Sequence, residues 1–180
     1  MTALDVDRRL IGIAAVVPDP ARTELQELRE KAGDPDAGRV PPHVTFVPPL
    51  SVAVADLPAV HSRLDAVAAA HQPFELRLAG PGTFAPVSAV VFAQVSAGIS
   101  QCEQLEADLC VGVLDHASTF PYHPHVTVAH DVGQAELDSA YSALMGYQAR
   151  FDIDRFVMFE QEPDGAWRPR RAFRLGPAGR

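Results

Sequence analysis

Short apolar runs alternate along this chain with longer stretches whose apolar positions recur every three or four residues. Residues 9–17 (RLIGIAAVV) form a β-rich apolar run, 43–47 (HVTFV) a short strand, and 74–80 (FELRLAG) alternates as a strand does. Between them, 20–32 and 54–72 carry helical spacing, with Leu57, Val60, Leu64 and Val67 on one stripe of the second. The order then repeats. A strand over 89–96 is followed by a helix over 99–113, a strand over 125–129, a helix over 133–148 and a strand over 150–160, with one more strand over 168–175.

Corresponding starts in the two halves lie 80, 82 and 79 residues apart for the first strands, the second strands and the helices after them. The pattern therefore predicts an α+β chain of two β-α-β-α-β units, about 9–80 and 89–175, within one bilobal domain spanning 1–180. No long linker separates them. The loops over 33–42 (GDPDAGRVPP) and 114–124 (LDHASTFPYHP) each lead into a second strand, and approaches of that length are more often functional than idle.

The one tetrapeptide shared by the halves is Pro-His-Val-Thr, in PPHVTFVPP (41–49) and YHPHVTVAH (122–130). Side chains alternate across a strand, so His43 and Thr45 share one face while Val44 and Phe46 point to a core. His125 and Thr127 are paired in the same way, backed by Val126 and Val128. A pseudo-two-fold between the units brings both pairs into one cleft. Two imidazoles and two hydroxyls suit a phosphodiester. A neutral His takes a proton from the attacking group, a protonated His gives one to the leaving oxygen, and hydroxyls donate to the non-bridging oxygens. That scheme calls for no metal and no cofactor. A single His-x-Thr on a strand means little; two copies at matching places in a duplicated pattern carry the reading.

The two motifs, HVTF at 43–46 and HVTV at 125–128, resemble those of the two-histidine (2H) phosphoesterase superfamily, the LigT-like or 2′-5′ RNA ligase-like proteins. The likeness covers nearly the whole chain, and GPGTF (80–84) resembles a Gly-rich segment of many members. It implies a bilobal fold with antiparallel sheets lining a central cleft and helices outside. It further implies cleavage of 2′,3′-cyclic phosphates or 2′-5′ linkages on small nucleotides or RNA ends, as in RNA processing. His43 and His125 are then the acid–base pair, and Thr45 and Thr127 the phosphate ligands. The chain departs from the RNA-acting members in lacking a basic residue after each motif, continuing VPPL and AH instead. A small nucleotide or an RNA end fits better than long RNA, with His130 or an Arg from another loop meeting the phosphate charge. A non-catalytic nucleotide or RNA-end binding module, and 2′-5′ end joining, use the same cleft.

Composition narrows the partners. Of 180 residues 47% are hydrophobic, and the net charge of -8 disfavours non-specific nucleic-acid binding. Residues 150–180 are an exception with seven Arg against five acids, and Arg168, Arg170, Arg171 and Arg174 read as a solvated face or a phosphate-attracting rim. No apolar run approaches the roughly 20 residues of a membrane span, and the N-terminal apolar stretch reads as a strand. A cytoplasmic monomer is expected. Cys102 and Cys110, eight apart on one predicted helix, are about 12 Å apart and cannot pair.

Four more residues are candidates for substrate binding. Tyr122 is placed to stack on a base or to anchor its loop. Phe84 is placed to cap a base at the cleft mouth or to join the core. His123 and His130 flank the second motif. By strand alternation His130 falls on the face opposite His123 and His125, so the three do not form a metal site at a recognised spacing.

Overall fold

The computed structural model describes residues 7–176. Strands form where apolar patterning predicts them: β1 (Arg8–Val16), β2 (His43–Ala53), β3 (Phe74–Thr83), β4 (Val90–Ala97), β5 (His125–His130), β6 (Gln148–Ile153), β7 (Arg155–Gln161) and β8 (Trp167–Arg174). The helices are α1 (Ala21–Ala32), α2 (Leu57–Ala70), α3 (Ile99–Leu109) and α4 (Gln134–Ala143). Three helices are shorter than predicted: α2 starts only at Leu57, after a 3-10 turn over Val54–Asp56, and ends at Ala70. α3 ends at Leu109 and gives way to a separate 3-10 turn over Gly112–Leu114, while α4 ends before a turn through Gly146, whose φ of 79° stops the helix.

The predicted strand over 150–160 is two strands. Asp154 breaks the run, and its two halves enter different sheets. One sheet has the order β2-β1-β7-β8 and the other β5-β4-β3-β6, every pairing antiparallel. The units therefore lend each other strands. β3 leaves the first unit to pair with β4, and β7 leaves the second to pair with β1. The helices cross over likewise, α1 packing on β5 and α3 on β2. One apolar cluster runs through both sheets and includes Ile13, Phe46, Leu78, Val126 and Phe156. Burying a side chain such as Phe46 or Phe156 contributes about 1.5–3 kcal/mol each, so the exchanged strands are held by the shared core as well as by their ladders.

Both His-Thr strands are edge strands, and they lie against one another. Each also carries the same irregularity. Ala14 pairs with Thr45 and Ile13 with Val47, leaving Phe46 as an extra residue. Phe92 pairs with Thr127 and Val91 with Ala129, leaving Val128 extra. A bulge shifts the alternation by one residue. Two consecutive residues are then buried, Phe46–Val47 in one strand and Val128–Ala129 in the other, and the next residue returns to the cleft side. That residue is Pro48 in β2 and His130 in β5. His130 consequently stands on the face of His125 and Thr127, not the opposite one that simple alternation predicts.

Candidate active site

His43 and His125 are fixed by matching hydrogen bonds. The Nδ1–H of His43 donates to the carbonyl of Pro41 at 2.7 Å, and that of His125 to the carbonyl of His123 at 2.8 Å. A carbonyl only accepts, so Nδ1 carries the proton in both rings and Nε2 is left free for chemistry. The prolines preceding each His hold that backbone extended. Burial depresses the basicity of both rings below the ordinary value of 6.5. For His43 the Pro41 carbonyl works the other way, the charges of Arg29 and His125 depress it further, and Asp34 raises it. For His125 the His123 carbonyl raises it and the His123 ring lowers it. Both imidazoles therefore favour the neutral form at pH 7, and a bound anion favours protonation of one.

Three depressions share these residues. One of about 400 Å³ is lined by Thr45 and His125, one of about 370 Å³ by His43, His125 and Thr127, and one of about 180 Å³ by His43 and Thr45. All four motif side chains are half-buried, and so accessible from the groove. The structure thus brings together the two pairs that sequence placed 82 residues apart.

The other candidates fall around this group. Phe84 is half-buried and stands edge-on to His125 at 4.9 Å, with Phe92 at 5.1 Å from the same ring, so it forms cleft wall and not core. Phe92 fits because residue 82 is Gly; a Cβ there would overlap the Phe92 ring. His123 is exposed and faces Phe84 edge-on at 5.7 Å. Tyr122 is half-buried, and its hydroxyl donates to the carbonyl of Thr45 at 2.9 Å, joining the loop before one motif to the backbone of the other. His130 lines the same depression as His43 and His125.

Two residues that sequence reasoning passed over belong to the same place. Arg29 and Asp34 are almost fully buried, and Arg29 Nε donates to Asp34 Oδ2 at 2.9 Å. The end of α1 creates this contact. Gly33 takes a left-handed φ of 72°, its N–H bonds the carbonyl of Glu30, and the Asp34 N–H returns to the carbonyl of Arg29. Asp34 is thereby folded back under the last helical turn. Its Oδ1 accepts the N–H of Asp36 at 2.9 Å and lies 3.0 Å from His130 Nδ1, in a geometry too bent for a hydrogen bond. His130 Nε2 lies 3.2 Å from Asp36 Oδ2. The two carboxylates meet opposite nitrogens of one ring and so cannot share a metal ion with it. Arg29 Nη1 donates to the carbonyl of Val40 at 2.7 Å, and Arg29 lines the depression of His43, His125 and Thr127. Its position had a sequence signal: residues 21, 25, 29 and 32 form the buried stripe of α1, so a charge sits where apolar residues belong.

The C-terminal arginines take no part. Arg170 bonds Glu160 and Glu162, Arg171 bonds Asp65 at 2.6 Å, and Arg174 lies 3.9 Å from Asp154. Arg170 is the extra residue where the β7–β8 register shifts, so Arg168, Arg170 and Arg174 do not share one face. Cys102 and Cys110 are both free thiols. Among the described residues no helix is long and apolar enough to cross a membrane.

Comparison with known proteins places this geometry. The sequence profile of the 2′-5′ RNA ligase superfamily matches residues 17–165. A protein of Bacillus anthracis provisionally named a phosphoesterase is 28% identical over 168 residues, covering 92% of this chain and 96% of its own. One from Oceanobacillus iheyensis, named likewise, is 27% identical over 167 residues, covering 92% and 97%. Among solved structures, E. coli LigT without ligand superimposes with a TM-score of 0.70 at 20% identity over 94% of this chain and 99% of that one. TT0787 of Thermus thermophilus does so with 0.67 at 22% identity over 94% and 100%. E. coli LigT complexed with 3′-AMP gives 0.65 at 17% identity over 94% and 99%. These likenesses show the bilobal α+β fold with antiparallel sheets.

Proposed function

The chain belongs to the 2′-5′ RNA ligase superfamily, and on that premise we propose that it is a phosphodiesterase that opens nucleoside 2′,3′-cyclic phosphates, free or at an RNA end. The observation that carries the reading is the pair of matching Nδ1–H bonds, which leave a free Nε2 on each of two imidazoles lining one depression. The 3′-AMP bound to LigT supports a nucleotide as the class of ligand.

In the proposed reaction a water oxygen attacks phosphorus while His125 Nε2 takes its proton. The bond from phosphorus to one ribose oxygen breaks, and protonated His43 gives its Nε2 proton to that oxygen. The product is a nucleoside phosphomonoester with a new ribose hydroxyl. Thr45 and Thr127 donate hydrogen bonds to the non-bridging oxygens as their charge grows. Arg29, whose charge is matched by Asp34, offers its remaining guanidinium N–H donors to a phosphate oxygen in the depression it lines. Two of its nitrogens are held by Asp34 and Val40, which fixes the guanidinium without side-chain freedom to lose on binding.

Substrates of few phosphates are favoured, since Asp34, Asp36 and the chain's net charge of -8 repel a long polyanion. Turnover of a cyclic nucleotide that is lost in both His43→Ala and His125→Ala, with folding intact, tests the scheme.

A further inference from the structure

Glu106 lies on α3 and lines the depression of about 400 Å³ that Thr45 and His125 also line. It is half-buried and has no cationic partner within ion-pair distance among the described residues. Its neighbours register the charge. Burial raises the Cys110 thiol to about 12, and the Glu106 carboxylate adds to that rise through its charge and a hydrogen bond with the thiol, which leaves its other lone pairs open. Burial likewise pushes the Tyr122 hydroxyl up, with Glu106 again among the contributors. A half-buried carboxylate that pairs with no cation inside the protein has acceptor capacity to offer a ligand.

The walls around it are apolar. Phe84, Phe120 and Tyr122 line the depression, and Phe120, on the loop ahead of β5, is 59% exposed. An aromatic ring left open beside a pocket of small-ligand size is a stacking platform. The phosphate-facing residues Thr45 and His125 form one side of the same depression, so a group seated here would be attached to the phosphate in the cleft.

We propose that this depression is a nucleobase subsite and that Glu106 selects guanine. The proposal rests on the nucleotide phosphodiesterase reading of the cleft and names its base. An ionised carboxylate only accepts. Guanine alone presents two adjacent donors on its pairing edge, N1–H and the N2 amine, which match the two carboxylate oxygens in a charge-assisted pair. Adenine and cytosine each set a donor beside a ring-nitrogen acceptor, so one carboxylate oxygen meets a lone pair. Uracil sets its single N–H between two carbonyls. A Gln at position 106 offers one acceptor and one donor, which matches the N6 amine and N1 of adenine, or the N4 amine and N3 of cytosine, instead.

The test is calorimetric binding of the eight nucleoside 2′- and 3′-monophosphates to the wild-type protein and to Glu106→Gln, with turnover of the four 2′,3′-cyclic phosphates measured beside it. The guanosine monophosphates are expected to bind wild type at least about tenfold more tightly than the other three bases. In Glu106→Gln that preference is expected to vanish or pass to adenine or cytosine. Four bases bound within about threefold of one another, or a guanine preference that survives Glu106→Gln, would overturn the proposal. The two readings fail separately. Cyclic phosphates turned over without base preference remove the guanine subsite and leave the phosphodiesterase. Selective guanine binding without turnover does the reverse.

Discussion

The hydroxyl of Tyr122 donates to the carbonyl of Thr45, across the two halves of the duplicated chain. β2 is an edge strand, and Thr45 pairs with Ala14 on its inner side. Its carbonyl is thus open to a side chain from the loop before β5. Tyr122→Phe keeps the ring and removes the bond. It should lower stability by about 0.5–1.5 kcal/mol in urea titration. It should also lower turnover of a cyclic nucleotide, because Thr45 loses its tie to the opposite motif. Unchanged turnover would confine Tyr122 to a packing role.

The Arg29–Asp34 pair should be costly to break from one side. Arg29→Met leaves the Asp34 carboxylate buried and unpaired, with an expected loss of about 3–5 kcal/mol. Changing both residues to apolar ones should lose less than Arg29→Met alone, by denaturant titration. Arg29→Lys keeps the charge, but one ammonium cannot replace a fork that spans Asp34 and the Val40 carbonyl. In Arg29→Met the His43 ring, relieved of a nearby cation, should titrate at higher pH by NMR.

The pH profile follows from the depressed imidazoles. The acid must be protonated in free enzyme, and its value lies below 6.5, so kcat/KM should fall as pH rises through and above that region. A bound phosphate anion favours the protonated ring, so the kcat profile should lie at higher pH than that of kcat/KM. Folding is linked with the opposite slope. As pH falls below 6.5 the unfolded chain takes up protons on these two rings before the folded one does, and stability declines through the folded values. Identical pH profiles for kcat and kcat/KM would contradict this picture of the cleft.

Gly82 makes room for the Phe92 ring that backs His125. Gly82→Ala should displace that ring and cost about 1–3 kcal/mol through overpacking. It should also shift the His125 ring resonances by NMR. A variant that keeps wild-type stability and spectra would show that Phe92 yields freely.

The motif strands, their buried backing residues and the order of the first ten elements were legible from periodicity, because each is a local pattern. The strand exchange was not. RFDIDRFVMFE over 150–160 holds no Gly or Pro, its alternation breaks at the adjacent polar residues Asp154 and Arg155, and that break does not say that Ile153 pairs with Phe74 while residues two positions on join the other sheet. The bulges left a faint trace, since Phe46–Val47 and Val128–Ala129 are adjacent apolar pairs that interrupt strict alternation. Reading through them sent His130 to the wrong face. Arg29 was overlooked because a helical Arg ordinarily faces water, and its partner Asp34 becomes its neighbour only through the left-handed turn at Gly33.

The most direct measurement is phosphorus NMR of the pure protein incubated in EDTA with the four nucleoside 2′,3′-cyclic monophosphates, with His43→Ala and His125→Ala alongside and their folding checked by circular dichroism. The account predicts a single phosphomonoester product from wild type and none from either folded variant. Undiminished product from either variant, or no product from wild type with any of the four, would contradict it.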